Sequence, residues 1–314
     1  MKKLGFVVVG LAAMVISDQA SAQAVGVGTG PQASLTNRIG AGVAKVMADA
    51  AGLKTRAVPH TSNAHHTPLV AKGTLAFGVN STGDINDAIG GRNAYKGHPV
   101  SKDWVIAARL VPLQVGMLVR KSTPYQTLND LKGKKIAVGF TAHKTVRTIM
   151  NAIYANTGTK ESDFNGVPVP NTHGGTQLFL KGSIEATASS LGGARLRNAD
   201  AKVGGLRVLK MNDSPEAVKA MQKHYPGSYL INRVGLGAEG KTPVMAFDMV
   251  LMTSTKISAD VVYKAVKALH AGKKALEGIS PAFKAFKPEN MNLKLDGVAV
   301  HPGAIKFYKE MNVM

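Results

Sequence analysis

The chain of 314 residues carries 39 Lys and Arg against 19 Asp and Glu, a formal net charge of +20, and it contains no Cys. The lack of Cys excludes a disulfide framework, a thiolate nucleophile and a lipid attached to a cysteine. Hydrophobic residues make up 45% and charged residues 18%, which indicates a globular protein rather than a disordered one.

The first 22 residues have the pattern of a secretory signal peptide. Lys2 and Lys3 give a positive start, residues 4–16 are almost entirely apolar, and Ala20-Ser21-Ala22 offers small residues for cleavage. The apolar run is shorter than the roughly 20 residues that a membrane-spanning helix needs. We therefore predict cleavage after Ala22 and a periplasmic location.

Two segments about 110 residues apart share one plan of strand, turn and helix. In the first, a strand at 25–28 leads through a turn into a helix that is capped by Ser34 and ended by Gly52. In the second, a strand at 136–139 leads into a helix that stops near Gly158. The similarity predicts an internal repeat.

The repeat continues downstream, where residues 69–81 parallel residues 178–190. Lys72-Gly73 aligns with Lys181-Gly182, and each pair is predicted to end a helix before a short apolar strand. Two α/β units of this kind predict two lobes with a ligand groove between them.

Two strand-like runs, at 110–119 and 246–252, are candidates for the connections between the lobes. If both cross over, the end of the chain returns to the first lobe. The predicted division is lobe 1 over 23–112 plus 252–314, and lobe 2, with the hinge strands, over 113–251.

The motifs together resemble the TAXI family of solute-binding proteins, which serve TRAP transporters. They are GTGPQ (28–32), PHTSN (59–63), LVAKGTLAFGV (69–79), TLNDLKGKKIAVG (127–139), LKGSIEA (180–186) and the ending HPGAIKFYKE (301–310). The resemblance covers essentially all of the chain after residue 22, in the family's order.

This resemblance implies a type II periplasmic-binding-protein fold of the α/β class, with a sheet flanked by helices in each lobe and a ligand cleft between the lobes. It also implies a small organic anion or an amino acid such as glutamate as the solute, and TRAP membrane permease subunits as partners. The sequence departs from the family near the expected cleft, at 31–35 and 61–63, and at Ala76 and Glu185. A ligand is therefore not carried over from the family.

The candidate ligand-binding residues follow strands or open helices, where loops and helix N-termini converge in open α/β sheets. They are Gly28, Thr29, Gly30, Thr61, Ser62, Asn63, Asn80, Ser81, Thr141, His143, Lys144, Thr145, Ser189 and Ser190. Arg109, Arg147 and Arg195 are candidate clamps for an anion, because arginine binds a carboxylate through two parallel hydrogen bonds. An ordinary surface role remains open for each of the three.

No cofactor or metal is expected. Gly26-x-Gly28-x-Gly30 does not match the dinucleotide fingerprint. His60, His65 and His66 form a histidine cluster, but no acidic residue lies between Asp49 and Asp84 to complete a local metal site.

Two other classes of function remain as alternatives. An exported enzyme acting on a small anionic substrate would need a nucleophile with a base or paired carboxylates, and neither stands out. A basic surface or nucleic-acid-binding protein would use the excess of positive charge, but the densest basic runs, at 132–135 and 273–274, are short and aromatic residues are only 5%. We therefore favour binding of a small anion and expect no nucleic-acid partner.

Overall fold

The computed structural model of the protein describes residues 25–32, 34–192 and 194–313. The predicted signal peptide and its cleavage site after Ala22 lie outside these ranges. No helix in the described ranges is long and apolar enough to cross a membrane.

Strands and helices alternate along most of the chain. The strands are β1 (Val25–Thr29), β2 (Thr55–Pro59), β3 (Phe77–Ser81), β4 (Trp104–Arg120), β5 (Lys135–Gly139), β6 (Asn165–Val169), β7 (Thr187–Ser190), β8 (Leu206–Val208), β9 (Tyr229–Asn232) and β10 (Pro243–Ser254). The helices are α1 (Leu35–Ala51), α2 (Asn63–Ala71), α3 (Thr82–Ile89), α4 (Lys144–Thr157), α5 (Thr172–Leu180), α6 (Ala194–Val203), α7 (Pro215–His224), α8 (Ala259–Ala271), α9 (Lys273–Ile279) and α10 (Pro302–Glu310).

The predicted ends of the two repeated helices are confirmed. Ser34 caps α1 by accepting a hydrogen bond from the backbone N–H of Asn37 at 3.1 Å. Gly52 and Gly158 end α1 and α4 in the left-handed conformation, each with φ of 64°. Glycine adopts this conformation without steric cost, which explains why both helices stop there.

The downstream half of the repeat is confirmed as well. Helices α2 and α5 both end with a lysine as C-cap, at Lys72 and Lys181. Gly73 and Gly182 follow with φ of 78° and 77°, and each leads into the next strand, β3 or β7. The two copies therefore share the geometry of their turns as well as their order of elements.

The sheets follow the same repeat. In the first unit β2, β1 and β3 are parallel neighbours, and β10 runs antiparallel to β3. In the second unit β5 and β6 are parallel, a bridge between Ile136 and Ala186 connects β5 to the start of β7, and β4 runs antiparallel to β7. Each unit is thus a short parallel sheet closed by one long antiparallel strand.

The long strands β4 and β10 join the two units. They pair with each other in antiparallel fashion from Trp104 opposite Ser254 to Val115 opposite Met245. Every residue of β10 is buried. The runs predicted as crossovers, at 110–119 and 246–252, lie within these two strands.

Candidate functional site

A cavity of about 150 Å³ lies where the two units meet. We call it the central cavity. It is lined by Pro31, Ser34, Leu35, Thr36, Arg38, Ser62, Asn63, Ser81, Asp84, Leu113, Val115, Gly116, His143, Thr145, Val146, Ile149, Ile153, Thr172, Ala188, Ser189, Ser190, Gly192, Arg195, Phe247 and Met249.

Six of the described helices contribute residues of their first turn to the lining. In the first unit these include Thr36 of α1, Asn63 of α2 and Asp84 of α3. In the second unit Thr145 of α4, Thr172 of α5 and Arg195 of α6 are the equivalents. A helix N-terminus carries unpaired N–H groups and a partial positive charge, so this convergence favours an anion.

The two long strands supply an apolar floor. Leu113 and Val115 alternate along β4, and Phe247 and Met249 alternate along β10, so each pair lies on one face of its strand. Leu113 is the register partner of Phe247. The floor is therefore a continuous apolar patch across the junction of the two units.

One face of α4 extends the apolar surface. Val146, Ile149 and Ile153 recur at helical spacing, and all three line the cavity and are buried. On the same helix Lys144 and Arg147 are exposed and lie outside the lining. The helical period thus separates a cavity face from a solvent face.

Asp84 is buried in the cavity wall and accepts hydrogen bonds from both units. Its Oδ2 accepts from Asn63 Nδ2 at 2.6 Å and from Ser81 Oγ at 2.9 Å. Its Oδ1 accepts from Thr145 Oγ1 at 3.1 Å. Since Thr145 belongs to α4 and the other donors to the first unit, the carboxylate ties the two units together.

A second polar contact between the units is linked to the same carboxylate through Ser81. Tyr225 OH and Ser81 Oγ are 2.7 Å apart, and because the single Ser81 proton is donated to Asp84, the tyrosine is the donor. Burial raises the pKa of Tyr225 well above its ordinary range, so the hydroxyl keeps its proton. Gly83 accommodates the Tyr225 ring, which a Cβ at that position would overlap.

Two arginines from opposite units line the cavity. Arg38 lies one turn into α1, and Arg195 is the second residue of α6. Both residues are exposed, so they belong to the rim of the cavity rather than to its floor. Burial of part of the side chain lowers the pKa of Arg38, and the charge of Arg195 lowers it further. An anion between them would relieve this repulsion.

His143 immediately precedes α4 and lies in the same wall. Burial lowers the pKa of His143, while the nearby charge of Asp84 opposes that shift. The imidazole is therefore neutral at pH 7, and it offers one N–H donor and one acceptor rather than a positive charge.

The structure brings part of the predicted site together. The predicted residues that line the central cavity are Ser62, Asn63, Ser81, His143, Thr145, Ser189, Ser190 and Arg195. The predicted residues outside its lining are Gly28, Thr29, Gly30, Thr61, Asn80, Thr141, Lys144, Arg109 and Arg147.

Several of the residues outside the lining are fully buried behind it. Asn80 Oδ1 is 2.6 Å from His66 Nε2, and its amide donates to Thr67 Oγ1. Thr29 Oγ1 accepts from Asn37 at 2.8 Å. A Cβ on Gly28 would lie 2.8 Å from the ring of His66. These side chains and this glycine serve the packing of the first unit.

The other predicted residues outside the lining are exposed, except for Gly30 and the partly exposed Arg109. Thr61 is exposed, and its hydroxyl is 2.6 Å from His65 Nδ1. Thr141, like Lys144 and Arg147, is exposed. Gly30 is buried beside the lining, where a Cβ would press on Thr36 Oγ1.

Arg109 has a structural partner. Its guanidinium donates to Asp248 Oδ1 at 2.8 Å, and Tyr229 OH donates to the same oxygen at 2.9 Å. Burial alone would lower the pKa of Arg109, but the hydrogen bond and the charge of Asp248, together with Tyr229, outweigh it and raise that pKa. The ion pair connects β4 with β10 where the strands cross between the units.

Sequence reasoning missed several lining residues. Asp84 was missed, although Ser81 caps α3 by accepting from the N–H of Asp84 and the spacing Ser-x-x-Asp was an available signal of a helix start at the cleft. Arg38 follows Ser34 by one helical turn, which also places it on the cleft side. Nothing in the sequence indicated that Phe247 and Met249 line the cavity, because the face of β10 that meets the cavity is set by its pairing with β4.

Among the described residues, no group of three or more His, Asp or Glu is arranged to hold a metal ion. The three histidines of the predicted cluster have separate polar partners. His66 points to Asn80, His65 contacts Thr61, and His60 Nδ1 lies 2.9 Å from the carbonyl oxygen of Val58.

Solved structures with the same architecture span nearly the whole chain. A putative periplasmic sulfonate-binding protein SsuA of a sulfonate ABC transporter from Methylobacillus flagellatus is 15% identical with a TM-score of 0.55, covering 93% of this chain and 95% of its own. PhnD1 from Prochlorococcus marinus, solved with methylphosphonate, is 10% identical with a TM-score of 0.56, and the match covers 93% of this chain and 99% of PhnD1. MatC from Rhodopseudomonas palustris, solved with malate, is 14% identical with a TM-score of 0.52, and the match covers 83% of this chain and 88% of MatC.

These similarities identify the fold. The chain has the α/β, two-lobed type II periplasmic-binding-protein fold, as expected from its repeat and its motifs. The model of the NMT1-like family matches residues 27–311, and the chain belongs to that family.

Proposed function

We propose that the protein is a solute receptor that captures a small organic anion in the central cavity by closure of its lobes. The observation that carries the proposal is the convergence of six helix N-termini and two arginines on one cavity between the lobes. The similar structures are a sulfonate-binding protein, a complex with methylphosphonate and a complex with malate, and each of these ligands is a small anion.

We propose binding without chemical conversion. Asp84 is occupied by three neutral donors, and Ser81 gives its proton to that carboxylate rather than to a histidine. This network supports a fixed wall rather than a nucleophile paired with a base. Recovery of a bound ligand unchanged after prolonged incubation tests this point, and turnover would contradict it.

We further propose that the receptor serves a TRAP-type transporter and acts in the periplasm. The supports are the motifs GTGPQ and HPGAIKFYKE, the signal-like residues 1–22 and the type II fold. The test is ligand uptake by membrane vesicles that contain a TRAP permease encoded beside the receptor. Uptake that does not depend on added receptor would contradict the proposal, and the N-terminal mass of the exported protein tests cleavage after Ala22.

The lobes are proposed to divide as 23–112 plus 252–314, and 113–251. Both boundaries lie on the paired strands β4 and β10, which are the connections between the two units. Within β10, residues from Met249 onward pair with β3 of the first unit, which favours bending close to this part of the strand. Distances between spin labels on α1 and α4, measured with and without ligand, test the closure.

The binding proposal is tested by a panel of carboxylates, sulfonates and amino acids. Thermal stability should rise with the logarithm of ligand concentration for a true ligand. Arg195→Gln should weaken its binding by about tenfold, because a charge-assisted hydrogen bond is lost. Arg197→Gln is the matched control, since Arg197 is exposed on the same helix and lies outside the cavity lining. Stabilisation by DNA with no response to any small anion would overturn the proposal.

A further inference from the structure

We propose that the solute is a monoanionic amphiphile, with one carboxylate or sulfonate head and an apolar body of about six carbons. The inference rests on the proposed function and names the class of ligand that the central cavity fits. Three independent features of the lining carry it: its charge, its apolar floor and its volume.

The first feature is the charge of the lining. Among the described residues, the charged side chains that line the cavity are Arg38, Arg195 and Asp84, so the lining carries one net positive charge. His143 is neutral at pH 7, because burial lowers its pKa. A single anionic head balances this lining, whereas a dianion leaves one charge uncompensated in a partly desolvated site.

The position of Asp84 argues against a zwitterion. Both of its oxygens already accept hydrogen bonds from neutral donors, namely Asn63, Ser81 and Thr145. An ammonium group would have to displace one of these donors, and the displaced group would lose its partner in a buried wall. The α-amino group of an amino acid therefore has no vacant carboxylate to meet.

The second feature is the apolar part of the lining. Leu113 and Phe247 lie side by side in the floor, and Val146, Ile149 and Ile153 form the adjoining face of α4. Hydroxyl or carboxylate groups on the body of a solute would lose water here without gaining a partner. Methylene groups or an aromatic ring would gain free energy from leaving water.

The third feature is size and orientation. A cavity of about 150 Å³ in another protein accepts benzene, so the volume here matches a body of about six carbons. Arg38 and Arg195 lie at the exposed rim, whereas the apolar lining residues Phe247, Ile149 and Ile153 are buried. The solute would enter body first and leave its head between the two arginines.

The test is calorimetric titration of the full chain with straight-chain monocarboxylates from acetate to octanoate at pH 7. Affinity should rise about fourfold for each added methylene, the value expected for complete removal from water, and should level off once the cavity is full. Sulfonates of the same chain lengths distinguish the two heads. Malate and glutamate serve as dianionic and zwitterionic comparators.

Variants of the cavity lining test where the apolar body of the ligand binds. Ile149→Ala enlarges the cavity and should move the preferred chain length upward by two or three methylenes, which a purely structural change would not do. Ile39→Ala is the matched control, because Ile39 is fully buried in the core and lies outside the lining. It should lower stability and leave the preferred chain length unchanged.

The outcomes separate this inference from the proposed function. Affinity that rises with chain length and shifts in Ile149→Ala supports the inference. Malate or glutamate binding more tightly than every monoanion, or affinity independent of chain length, overturns the inference and leaves the receptor function standing. Failure of the whole panel to bind overturns both.

Discussion

Thr145 Oγ1 donates a hydrogen bond of 3.1 Å to Asp84 Oδ1, from the second unit of the fold to the first. Both residues line the central cavity. A bond in this position exists only when the two lobes are close together, so it adds to the stability of the closed form. A net contribution of about 1 kcal/mol is typical for such a bond.

Thr145→Val removes this bond while keeping the shape of the side chain. The closed form becomes less populated, so the affinity for the best ligand of the panel should fall about fivefold. Calorimetric titration measures the change. Thr157→Val is the control, because that hydroxyl donates to the carbonyl oxygen of Ile153 within the same helix. Equal affinities in both variants would show that the bond does not assist closure.

A substitution at Arg109 distinguishes a structural role of this residue from a role as a ligand clamp. Arg109→Met leaves the carboxylate of Asp248 buried without its cation. We expect the free energy of unfolding to fall by about 2–3 kcal/mol, a modest loss for a buried ion pair because the arginine is partly exposed. Ligand affinity should stay unchanged within twofold.

Urea denaturation and calorimetric titration measure these two quantities. Arg147→Met is the control for Arg109→Met, since the exposed Arg147 should change stability by less than about 0.5 kcal/mol. Lost affinity with unchanged stability in Arg109→Met would instead support the clamp role predicted from the sequence.

Gly28 should be required for packing and not for ligand contact. A Cβ at this position would lie 2.8 Å from the ring of His66, which is itself fully buried. Gly28→Ala should therefore destabilise the protein by about 1–3 kcal/mol. Gly278→Ala is the matched control, because a Cβ there meets nothing within 4 Å and alanine favours the helix. Equal melting temperatures for both variants would contradict this account.

Much of the fold was predictable because its signals are local. Ser34 and Gly52 define α1 through a cap and a left-handed turn, which depend on a few neighbouring residues. The repeated Lys-Gly pairs at 72–73 and 181–182 similarly indicated two helix ends and the internal repeat. A symmetric pair of α/β units leaves few arrangements other than two facing lobes.

The site was only partly predictable because the direction of a side chain depends on distant packing. Asn80 and Ser81 are neighbours on β3, yet Ser81 lines the cavity and Asn80 points to His66 on the opposite side. The alternation of side chains along a strand defines two faces, but it does not indicate which of the two points toward the groove. The pairing of β10 with β3, far away in sequence, decides it.

The stability of the protein should depend on pH through His66. Burial lowers the pKa of His66 from 6.5 to about 4, so the folded protein keeps this imidazole neutral where the unfolded chain binds a proton. The contribution of neutral His66 to the free energy of unfolding is complete above pH 6.5. It is lost as the pH falls toward 4, and the total loss is about 3 kcal/mol. His66→Gln retains a polar side chain beside Asn80 but cannot titrate, so its stability deficit relative to the wild type should shrink by that amount between pH 7 and pH 4. Urea denaturation at each pH measures the deficit, and a deficit independent of pH would show that His66 does not titrate differently on folding.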